Sequence, residues 1–446
     1  MKASMFKIKG ICLFLALGVF VQGHSVSAAS IHDEEKEVGE ERHEIDAGKK
    51  ISDIFHMGAQ ARVRGDFVRN QLLSDFGFSP DTHDEQVVSR TRLNLSVKPM
   101  KSLAGFIQGQ FYTRENPDDY SEVNLYQAYV EFSGMENLPV GLKVGRQELS
   151  YGTSFFLGPN DFYEGLVWDG GKIKIAPKDN FWVDLIGARY VKLNENTSDN
   201  EPALYGAYSS YELTHDSAVD LYFFYHKGGF QFFHTDLPAS DKWFTLGTRL
   251  AGKTKGGFDY EIEPLYQFGK IENSERLAQD TISAYGGHIE AGYTMDSEHK
   301  TRIFTAYAFG SGDNNAQDKK FREFHGNIYN DNYLVGDTSL IPDLSGITVG
   351  DARASGMHIF VAGLSLDLTS KLNLNLDNHY LLSDKTPNGI SKNLGDEINL
   401  ITTYNLFENC NIIASANRFF TGKFFEDATG SKKPIDYFYV QTQIEF

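Results

Sequence analysis

Pairs of cationic residues, set two positions apart, recur along the first half of the chain. They are Arg62 and Arg64, Arg90 and Arg92, and Lys172 and Lys174, and Arg249 follows alone. Each of these side chains has apolar neighbours of the opposite parity. A guanidinium pairs bidentately with a carboxylate and stays charged, and rings of Arg or Lys select anions in pores. The spacing therefore predicts a cationic track for a polyanion, such as a polyuronate with one carboxylate per sugar.

Acidic residues follow the same alternation, mostly in the second half of the chain. They are Asp259, Glu261, Glu263, Glu290, Asp377 and Glu397. If these acids face the same space as the cations, two interpretations remain open. Either the cations stay available to an anion, or they pair with the acids and only hold the wall together. A basic wall opposite an acidic wall would also create a transverse field across a pore.

Residue patterns for metals, cofactors and catalysis are sparse. Asp313, Asn315 and Asp318 resemble a loose oxygen-rich site, but the glycine at position six of an EF-hand loop is missing, so calcium is only a weak suggestion. The histidines form no metal-binding motif. No nucleophile signature is visible either, so we expect no metal, no cofactor and no enzymatic activity.

The elements that carry these residues are strands. From about residue 56 onward, segments of ten to thirteen residues alternate apolar and polar side chains. Leu372, Leu374 and Leu376, for example, interleave with Asn373 and Asn375. A helix would repeat near 3.6 residues, so the period of two indicates strands with one apolar face and one polar face.

About eighteen such segments follow one another, starting near residues 56, 87, 103, 123, 139, 167, 180, 202, 217, 241, 256, 281, 299, 355, 370, 396, 409 and 436. The connections between them alternate in length. Even-numbered connections are short, whereas odd-numbered ones are long, including residues 70–86, 149–166, 227–240, 382–395 and the largest, 311–354. Short periplasmic turns and long extracellular loops are typical of an outer-membrane barrel. We therefore predict an all-β, antiparallel transmembrane barrel of about eighteen strands with an aqueous lumen.

Arg146 departs from the alternation. Counting from Leu142 and Val144 places it on the lipid face, where a charge at mid-depth costs about 2–4 kcal/mol. A β-bulge at Gly145 would reverse the parity and turn Arg146 into the lumen, beside residues 150–161. We favour this lumenal position over an interfacial one and over an arginine that only ties down the loop.

The two ends of the chain indicate export. Residues 1–28 have lysines, an apolar run too short to span a membrane, and small residues at a cleavage site, as in a signal peptide. Residues 29–54 form an acidic segment with few apolar residues, predicted as a periplasmic arm. Residues 55–446 would form the barrel. The terminal Phe446, at the end of an alternating strand, resembles the signal read by the barrel-assembly machinery.

Composition agrees with this class of protein. The chain has 34 Phe, 23 Tyr and 3 Trp beside a net charge of −18. Aromatic residues collect at both interfaces of a membrane barrel, while its lumenal residues lower the mean hydropathy. The acidity argues against nucleic acid as a partner. A disulfide framework is excluded, because Cys12 lies in the signal peptide and leaves Cys410 alone.

Three blocks of sequence resemble the alginate export family of outer-membrane porins. The first runs from Val144-Gly-Arg-Gln-Glu through Leu157-Gly-Pro-Asn-Asp161 to Trp168-Asp-Gly-Gly171. The second is Phe309-Gly-Ser-Gly-Asp-Asn-Asn315, and the third begins at Leu394-Gly-Asp-Glu and includes Phe419-Phe-Thr-Gly-Lys-Phe424. The resemblance implies an eighteen-stranded, monomeric barrel with a basic lumen that passes a polyanionic polysaccharide.

The functional hypotheses are therefore two kinds of channel. The first exports an anionic, alginate-like polysaccharide, with periplasmic export components as further partners beside the outer-membrane lipid. The second is a general or small-solute porin. An outer-membrane enzyme and an adhesive barrel are weaker alternatives, because no sequence feature supports either one.

Overall fold

The structure, a computed structural model, describes residues 54–74, 76–116, 119–135, 138–191, 193, 202–228, 242–273, 278–315, 318–325, 333–338 and 340–446. The predicted signal peptide and almost all of the predicted acidic arm lie outside these residues.

Twenty strands are described. The first ten are β1 Phe55–Gln71, β2 Phe78–Met100, β3 Leu103–Glu115, β4 Tyr120–Met135, β5 Leu138–Gln147, β6 Val167–Lys178, β7 Phe181–Val191, β8 Ala203–Thr214, β9 Ser217–Lys227 and β10 Lys242–Lys253. The others are β11 Phe258–Asn273, β12 Ala278–Thr294, β13 Arg302–Gly310, β14 Lys320–Phe321, β15 Gly346–Val349, β16 Ala352–Thr369, β17 Leu372–Lys385, β18 Asn393–Phe407, β19 Cys410–Thr421 and β20 Ile435–Glu445.

Eighteen of these strands close into an antiparallel barrel. Each pairs with the next along the chain, β13 pairs with β16, and β20 returns to β1 with Phe67 opposite Phe438. The two short strands β14 and β15 belong to the connection between β13 and β16 and add to the wall at β12 and β16. Closure leaves no free sheet edge, which is what a strand-built protein needs in hydrocarbon. The predicted strand number is confirmed.

The two faces of the wall follow the predicted alternation. On β1, Val63 and Phe67 are 54% and 47% exposed on the outside, whereas Arg64 and Asp66 between them are buried in the lumen. The same contrast holds on β2, where Leu93 is exposed and Arg92 is buried. An apolar outer face and a polar inner face are what lipid and lumen each require.

Connection lengths also sort as predicted, with two corrections, the first being that the predicted loop 382–395 is only residues 386–392. Almost all of the predicted loop 227–240 lies outside the described residues. Turns at one end are as short as residues 101–102, 179–180 and 215–216, while the other end carries residues 148–166 and 311–351. The predicted loop 70–86 is wrong in extent, because β1 continues to Gln71 and β2 begins at Phe78. Residues 78–86 lack outward apolar side chains since this end of β2 lies near the long loops, beyond the apolar band. By its long loops, this end is extracellular.

Long loops fold into the barrel instead of standing above it. Leu149, Phe156 and Leu157 from residues 148–166, and Leu334 and Leu344 from residues 311–351, form one buried apolar cluster with lumenal side chains of the wall. A short 3₁₀ helix, Tyr333–Val335, belongs to the second of these loops. The extracellular half of the lumen therefore contains a packed core.

A helix that the sequence pattern did not predict, α1 Lys423–Thr429, lies between β19 and β20. Phe424 and Phe425 are buried, and Phe425 packs edge-on against Phe78 at 5.0 Å. The helix ends at Gly430, whose φ of 76° suits glycine. Among the described residues, no helix has the length and apolar character needed to cross a membrane.

Candidate functional site: lumenal charge clusters

Three arginines of the first two strands converge on one carboxylate. We call Arg62, Arg90 and Arg92 the arginine cluster; their guanidinium nitrogens lie 2.9, 2.6 and 2.9 Å from the carboxylate oxygens of Asp161. Arg90 and Arg92 are almost fully buried. Charge-assisted bonds from a planar fork are strong and directional, so this contact fixes the position of Asp161.

Asp161 belongs to the loop of residues 148–166, which we call the inner loop. Burial opposes ionisation of Asp161, but Arg90, Arg92 and Arg62 outweigh it and lower the pKa of the carboxyl to about 2. Backbone contacts also hold the loop: Arg62 donates to the Asp161 carbonyl at 2.6 Å, Arg90 to the Tyr163 carbonyl at 2.9 Å and Arg92 to the Glu164 carbonyl at 2.9 Å. The arginine cluster thus binds an anion supplied by the chain itself.

Local backbone features let the inner loop approach the wall this closely. Gly165 has φ +87°, and a Cβ there would collide with the Tyr126 hydroxyl and the Arg92 guanidinium. Tyr126 is an extra residue in β4, because the β3–β4 register passes from Gln108 opposite Gln127 to Gly109 opposite Leu125. This bulge turns Tyr126 into the lumen, where its ring lies 3.7 Å beneath Arg92 and its hydroxyl donates to Glu148 at 2.6 Å.

Arg64, the fourth arginine predicted for this track, has a separate environment. Its Nε donates to Asp66 at 2.7 Å, and its Nη2 donates to the Tyr437 hydroxyl at 2.7 Å. The guanidinium also lies between the rings of Phe162 and Tyr439, at 3.6 and 3.7 Å. Arg64 is therefore a structural link between wall and inner loop.

The predicted lysines lie nearer the periplasmic end and are arranged differently. Lys172 and Lys174 on β6 face the lumen together with Lys143 on β5, which stands opposite Lys172 in the register; we call these three the lysine cluster. Lys172 contacts Asp184 at 3.1 Å. Within the described part of the chain, neither Lys143 nor Lys174 has a carboxylate within 4 Å. Two cations of this cluster are thus not neutralised by direct contact.

Aromatic rings accompany the lysine cluster. The Lys174 ammonium lies 5.7 Å from the ring of Trp182, and the Lys143 ammonium lies 3.6 Å above the ring of Tyr129. Trp182 is half-buried and stacks on Tyr208 with 5.9 Å between centroids and 19° between planes. A cation beside a flat aromatic surface is an arrangement that suits an acidic sugar.

The remaining predicted cation, Arg249, joins the acids of the opposite wall. It contacts Asp220 and Glu261, each at 3.0 Å. Asp259 and Glu290 both bind Arg302, at 2.5 and 2.7 Å. Glu263 faces the lumen as well. The structure thus places all four predicted acids of β11 and β12 on the lumenal face: Asp259, Glu261, Glu263 and Glu290.

Asp377 and Glu397 hold the other long loop. Glu397 is fully buried and accepts hydrogen bonds from the backbone N–H groups of Asp337 and Thr338, at 2.6 and 3.0 Å. Asp377 lies 2.9 Å from His379, whose second ring nitrogen is 3.0 Å from the Leu334 carbonyl. Burial raises the pKa of Asp337, with the nearby Asp377 adding to the effect. These two acids position residues 333–338 inside the lumen.

The lumenal position predicted for Arg146 is wrong. The register around Gly145 is continuous on both sides, with Val130 opposite Val144 and Ala128 opposite Arg146. The bulge occurs at Tyr126 on β4 instead, so Arg146 stays on the outer face with Val144. There its guanidinium donates to both carboxylate oxygens of Asp169, at 2.8 and 2.9 Å. A bidentate partner on the next strand lowers the cost of an outward charge.

Possible metal ligands are occupied by protein groups. The weak calcium candidates Asp313 and Asp318 both contact Arg322, and the Asn315 N–H donates to Asp313. A guanidinium therefore takes the position that a cation would need. Among the described residues, one other group offers ligand atoms within 4.8 Å of one another: Glu261, Glu263 and His288. Arg249 and Tyr222 already bind its two carboxylates.

Sequence reasoning missed the acid that organises the arginine cluster. Asp161 lies in a loop, where period-two alternation gives no information about orientation. The available signal was its place at the end of the Leu157–Asp161 block, which carried the family resemblance. Lys143 was missed as well, although it alternates with Leu142 and Val144.

Comparisons with known proteins agree with this fold. A family model described as alginate export matches residues 53–338. A comparison with curated protein sequences gives no significant match.

Solved structures match over most of the chain. OccK5 (OpdH) of Pseudomonas aeruginosa is 13% identical, covers 87% of this chain and 98% of its own, and has a TM-score of 0.57. OpdL of the same organism is 10% identical, with 87% and 98% covered and a TM-score of 0.59. A BenF-like porin from Pseudomonas fluorescens Pf-5 is 10% identical, with 88% and 98% covered and a TM-score of 0.57. At these identities the likeness shows the fold.

Proposed function

Because this chain belongs to the alginate export family, we propose that it exports an anionic polysaccharide of the polyuronate kind through the lumen of its barrel. The coarser assignment, an outer-membrane channel, follows from the family and the barrel. The cargo and the direction of transport are the proposal.

The lysine cluster carries this proposal. Lys143 and Lys174 are lumenal cations without a carboxylate within 4 Å in the described chain, and Trp182 lies beside Lys174. Lys174 is four residues from the periplasmic end of β6, and Trp182 is the second residue of β7. An exported chain would meet these groups soon after entering from the periplasm. A sugar ring could stack on the indole while its carboxylate approaches the ammonium groups.

The arginine cluster would act after the lysine cluster along the path. Arg92 lies eight residues from the periplasmic end of β2, so this cluster is deeper in the lumen. Its three guanidinium groups already bind one carboxylate, that of Asp161. A uronate carboxylate would compete with Asp161 for the same donors, because the two anions have the same geometry. The polymer itself would then help to displace the inner loop.

The test is conductance of the full-length protein in a planar lipid bilayer. We expect anion selectivity, and blockage by oligouronates added on the periplasmic side, with neutral oligosaccharides of the same length as the control. Cation selectivity together with no blockage by oligouronates would contradict polysaccharide export.

A small-solute porin is the second candidate function. The observation in its favour is the filling of the extracellular half of the lumen by the inner loop and residues 333–349. Three arginines around one carboxylate would also suit a single small anion. Stable anion selectivity with saturable conductance for small carboxylates, but no blockage by oligouronates, would favour this function. The expected lack of enzymatic activity, the monomeric state and the proposed protein partners stay predictions.

A further inference from the structure

The outer wall of the barrel has a charged groove at its extracellular end. A pocket of about 590 Å³ lies on the outside of β1, β20, β19 and β18. The row of the groove nearest the extracellular end consists of Arg69, Asp436 and Arg418. Asp436 on β20 is opposite Arg69 on β1 and opposite Arg418 on β19. All three residues are near the long-loop ends of their strands, so they are at the level of the outer-leaflet headgroups.

The two arginines of this row are only loosely neutralised. Arg69 Nε is 3.9 Å and Arg418 Nη1 is 3.4 Å from the carboxylate oxygens of Asp436. Among the described residues, neither guanidinium donates a hydrogen bond. Their side chains are 66% and 48% exposed. Two cations share one acid, so the row has a net positive charge, and its guanidinium groups are exposed with donors that no described residue accepts from.

Arg146, which also lies on the outer wall, is fully neutralised and serves as a comparison. Its guanidinium donates to both oxygens of Asp169 at 2.8 and 2.9 Å, and to the Leu125 carbonyl at 3.0 Å. Within the described part of the chain, Arg69 and Arg418 have no comparable hydrogen bonds. The difference marks the groove as a place where donors remain for a ligand.

Below the charged row the surface becomes apolar and forms a notch. The next register row contains Phe67, Phe438, Ala416 and Leu400. Phe67, Phe438 and Leu400 are exposed to the outside, and the small Ala416 lies between two larger side chains. The row beneath it contains Gly65, Val440 and Ala414. Small residues along β19 thus continue the notch downward into the apolar band.

We propose that this lipid groove binds a phosphorylated glycolipid of the outer leaflet. A headgroup phosphate would bind Arg69 and Arg418, because Arg recognises phosphate through bidentate charge-assisted bonds. One acyl chain would lie in the notch over Ala416, between Phe438 and Leu400. The charge above and the apolar surface below match the two parts of such a lipid, which a soluble anion would not need. The groove is on the outer wall and does not depend on the transported substrate.

The test uses the full-length protein purified in detergent and incubated with bisphosphorylated lipid A, with bound lipid counted by native mass spectrometry. We expect one lipid per barrel for the wild type. The double variant Arg69→Gln/Arg418→Gln should weaken the apparent affinity at least tenfold, and A416F should also weaken it while both arginines remain. Arg146→Gln/Asp169→Asn is the matched control, because it removes an outward arginine and its acid elsewhere, and it should bind like the wild type.

Two results would overturn the proposal. Equal binding by the wild type and the double variant would show that the arginines do not recognise the lipid. The proposal requires that the arginines bind phosphate and that the notch binds an acyl chain. It would be contradicted if lipid A without phosphates bound equally well, or if inorganic phosphate at the same concentration displaced the lipid completely. Because both arginines are exposed, the double variant should keep its barrel, which a heat-dependent shift in gel mobility verifies.

Discussion

The arginine cluster and the lysine cluster face the same lumen, yet carboxylates of the chain contact all three cations of the first and only Lys172 of the second among the described residues. Arg62, Arg90 and Arg92 surround Asp161, with the closest contact at 2.6 Å. Lys143 and Lys174 have no acid in contact within the described chain. The same spacing of cations in the sequence therefore gives one cluster that holds a loop and one that stays available.

Depth along the barrel explains the difference. The inner loop enters from the extracellular end and reaches Arg92, which is eight residues from the periplasmic end of its strand. Lys174 is only four residues from that end. Near it the inner loop presents Tyr151, whose hydroxyl donates to Asp184 at 2.6 Å and whose ring is 6.3 Å from that of Trp182, and not Asp161. Residue type adds to the effect. The planar fork of Arg suits a fixed carboxylate, whereas the flexible ammonium of Lys suits a ligand that passes.

The largest effect should come from removing the shared acid. Asp161→Asn leaves three guanidinium groups, two of them buried, without their anion, so we expect the free energy of unfolding to fall by about 3–5 kcal/mol. The inner loop should also leave the arginine cluster, which would raise single-channel conductance and anion selectivity. Denaturant unfolding and bilayer recordings measure the two effects.

Asp169→Asn is the control for this change. Asp169 also binds an arginine, but on the outer face and half-exposed, so its loss should leave conductance unchanged. If Asp161→Asn conducts like the wild type, the arginine cluster does not control the inner loop.

The faces of the strands could be predicted from the sequence, whereas the partners of the side chains could not. A period of two fixes which residues point inward, and Arg62, Glu261 and Glu397 all do. It cannot place a loop residue such as Asp161, because a loop has no repeating geometry. The alternation therefore predicted the lumenal arginines of β1, β2 and β10, but it missed Arg302 on β13 and the loop acid Asp161, which neutralises three of the predicted arginines.

The error at Arg146 has a related cause. The bulge predicted at Gly145 is absent from the described register, and a bulge that was not predicted lies at Tyr126, one strand earlier. A bulge reverses the inward and outward order of side chains only in its own strand. The apolar pattern of β5 alone is therefore compatible with a lumenal or an outer position of Arg146. The start of β2 was placed too late for a different reason. Its first residues lie beyond the apolar band, so they need no outward apolar side chains.

The second effect is a pH dependence that belongs to the inner loop. Burial, with Glu122 adding to it, raises the pKa of Glu164 from 4.5 to about 7. The folded protein therefore binds this proton more tightly than the unfolded chain does. The stabilisation is complete below about pH 4.5 and is lost as the pH rises towards 7. We expect a loss of about 3 kcal/mol, since one unit of pKa is worth about 1.4 kcal/mol.

Unfolding of the barrel in denaturant between pH 4.5 and 8 measures this dependence. Glu164→Gln should make the curve less steep in this range. Asp161 should contribute nothing there, because its pKa of about 2 keeps it ionised. An identical curve for Glu164→Gln and the wild type would assign the pH dependence to another group.

A smaller effect should come from the available cations. Lys143→Gln/Lys174→Gln should weaken blockage by oligouronates about tenfold, which corresponds to about 1.4 kcal/mol. The matched control is Lys172→Gln/Asp184→Asn, which removes a cation together with its acid and should change blockage less. The dissociation constant from single-channel blocking events gives both values. Equal effects of the two double variants would mean that pairing does not distinguish these lysines.

The smallest effect is expected from a long hydroxyl contact of the inner loop. The Tyr163 hydroxyl lies 3.3 Å from Asp66 and 3.4 Å from the Tyr437 hydroxyl, both near the limit for hydrogen bonds. Tyr163→Phe keeps the ring against Phe162 and should cost about 1 kcal/mol or less. Conductance should not change, because the Asp161 ion pairs remain. If Tyr163→Phe instead raises conductance as much as Asp161→Asn, the inner loop is held by its aromatic contacts and hydroxyl groups, and the arginine cluster is not its anchor.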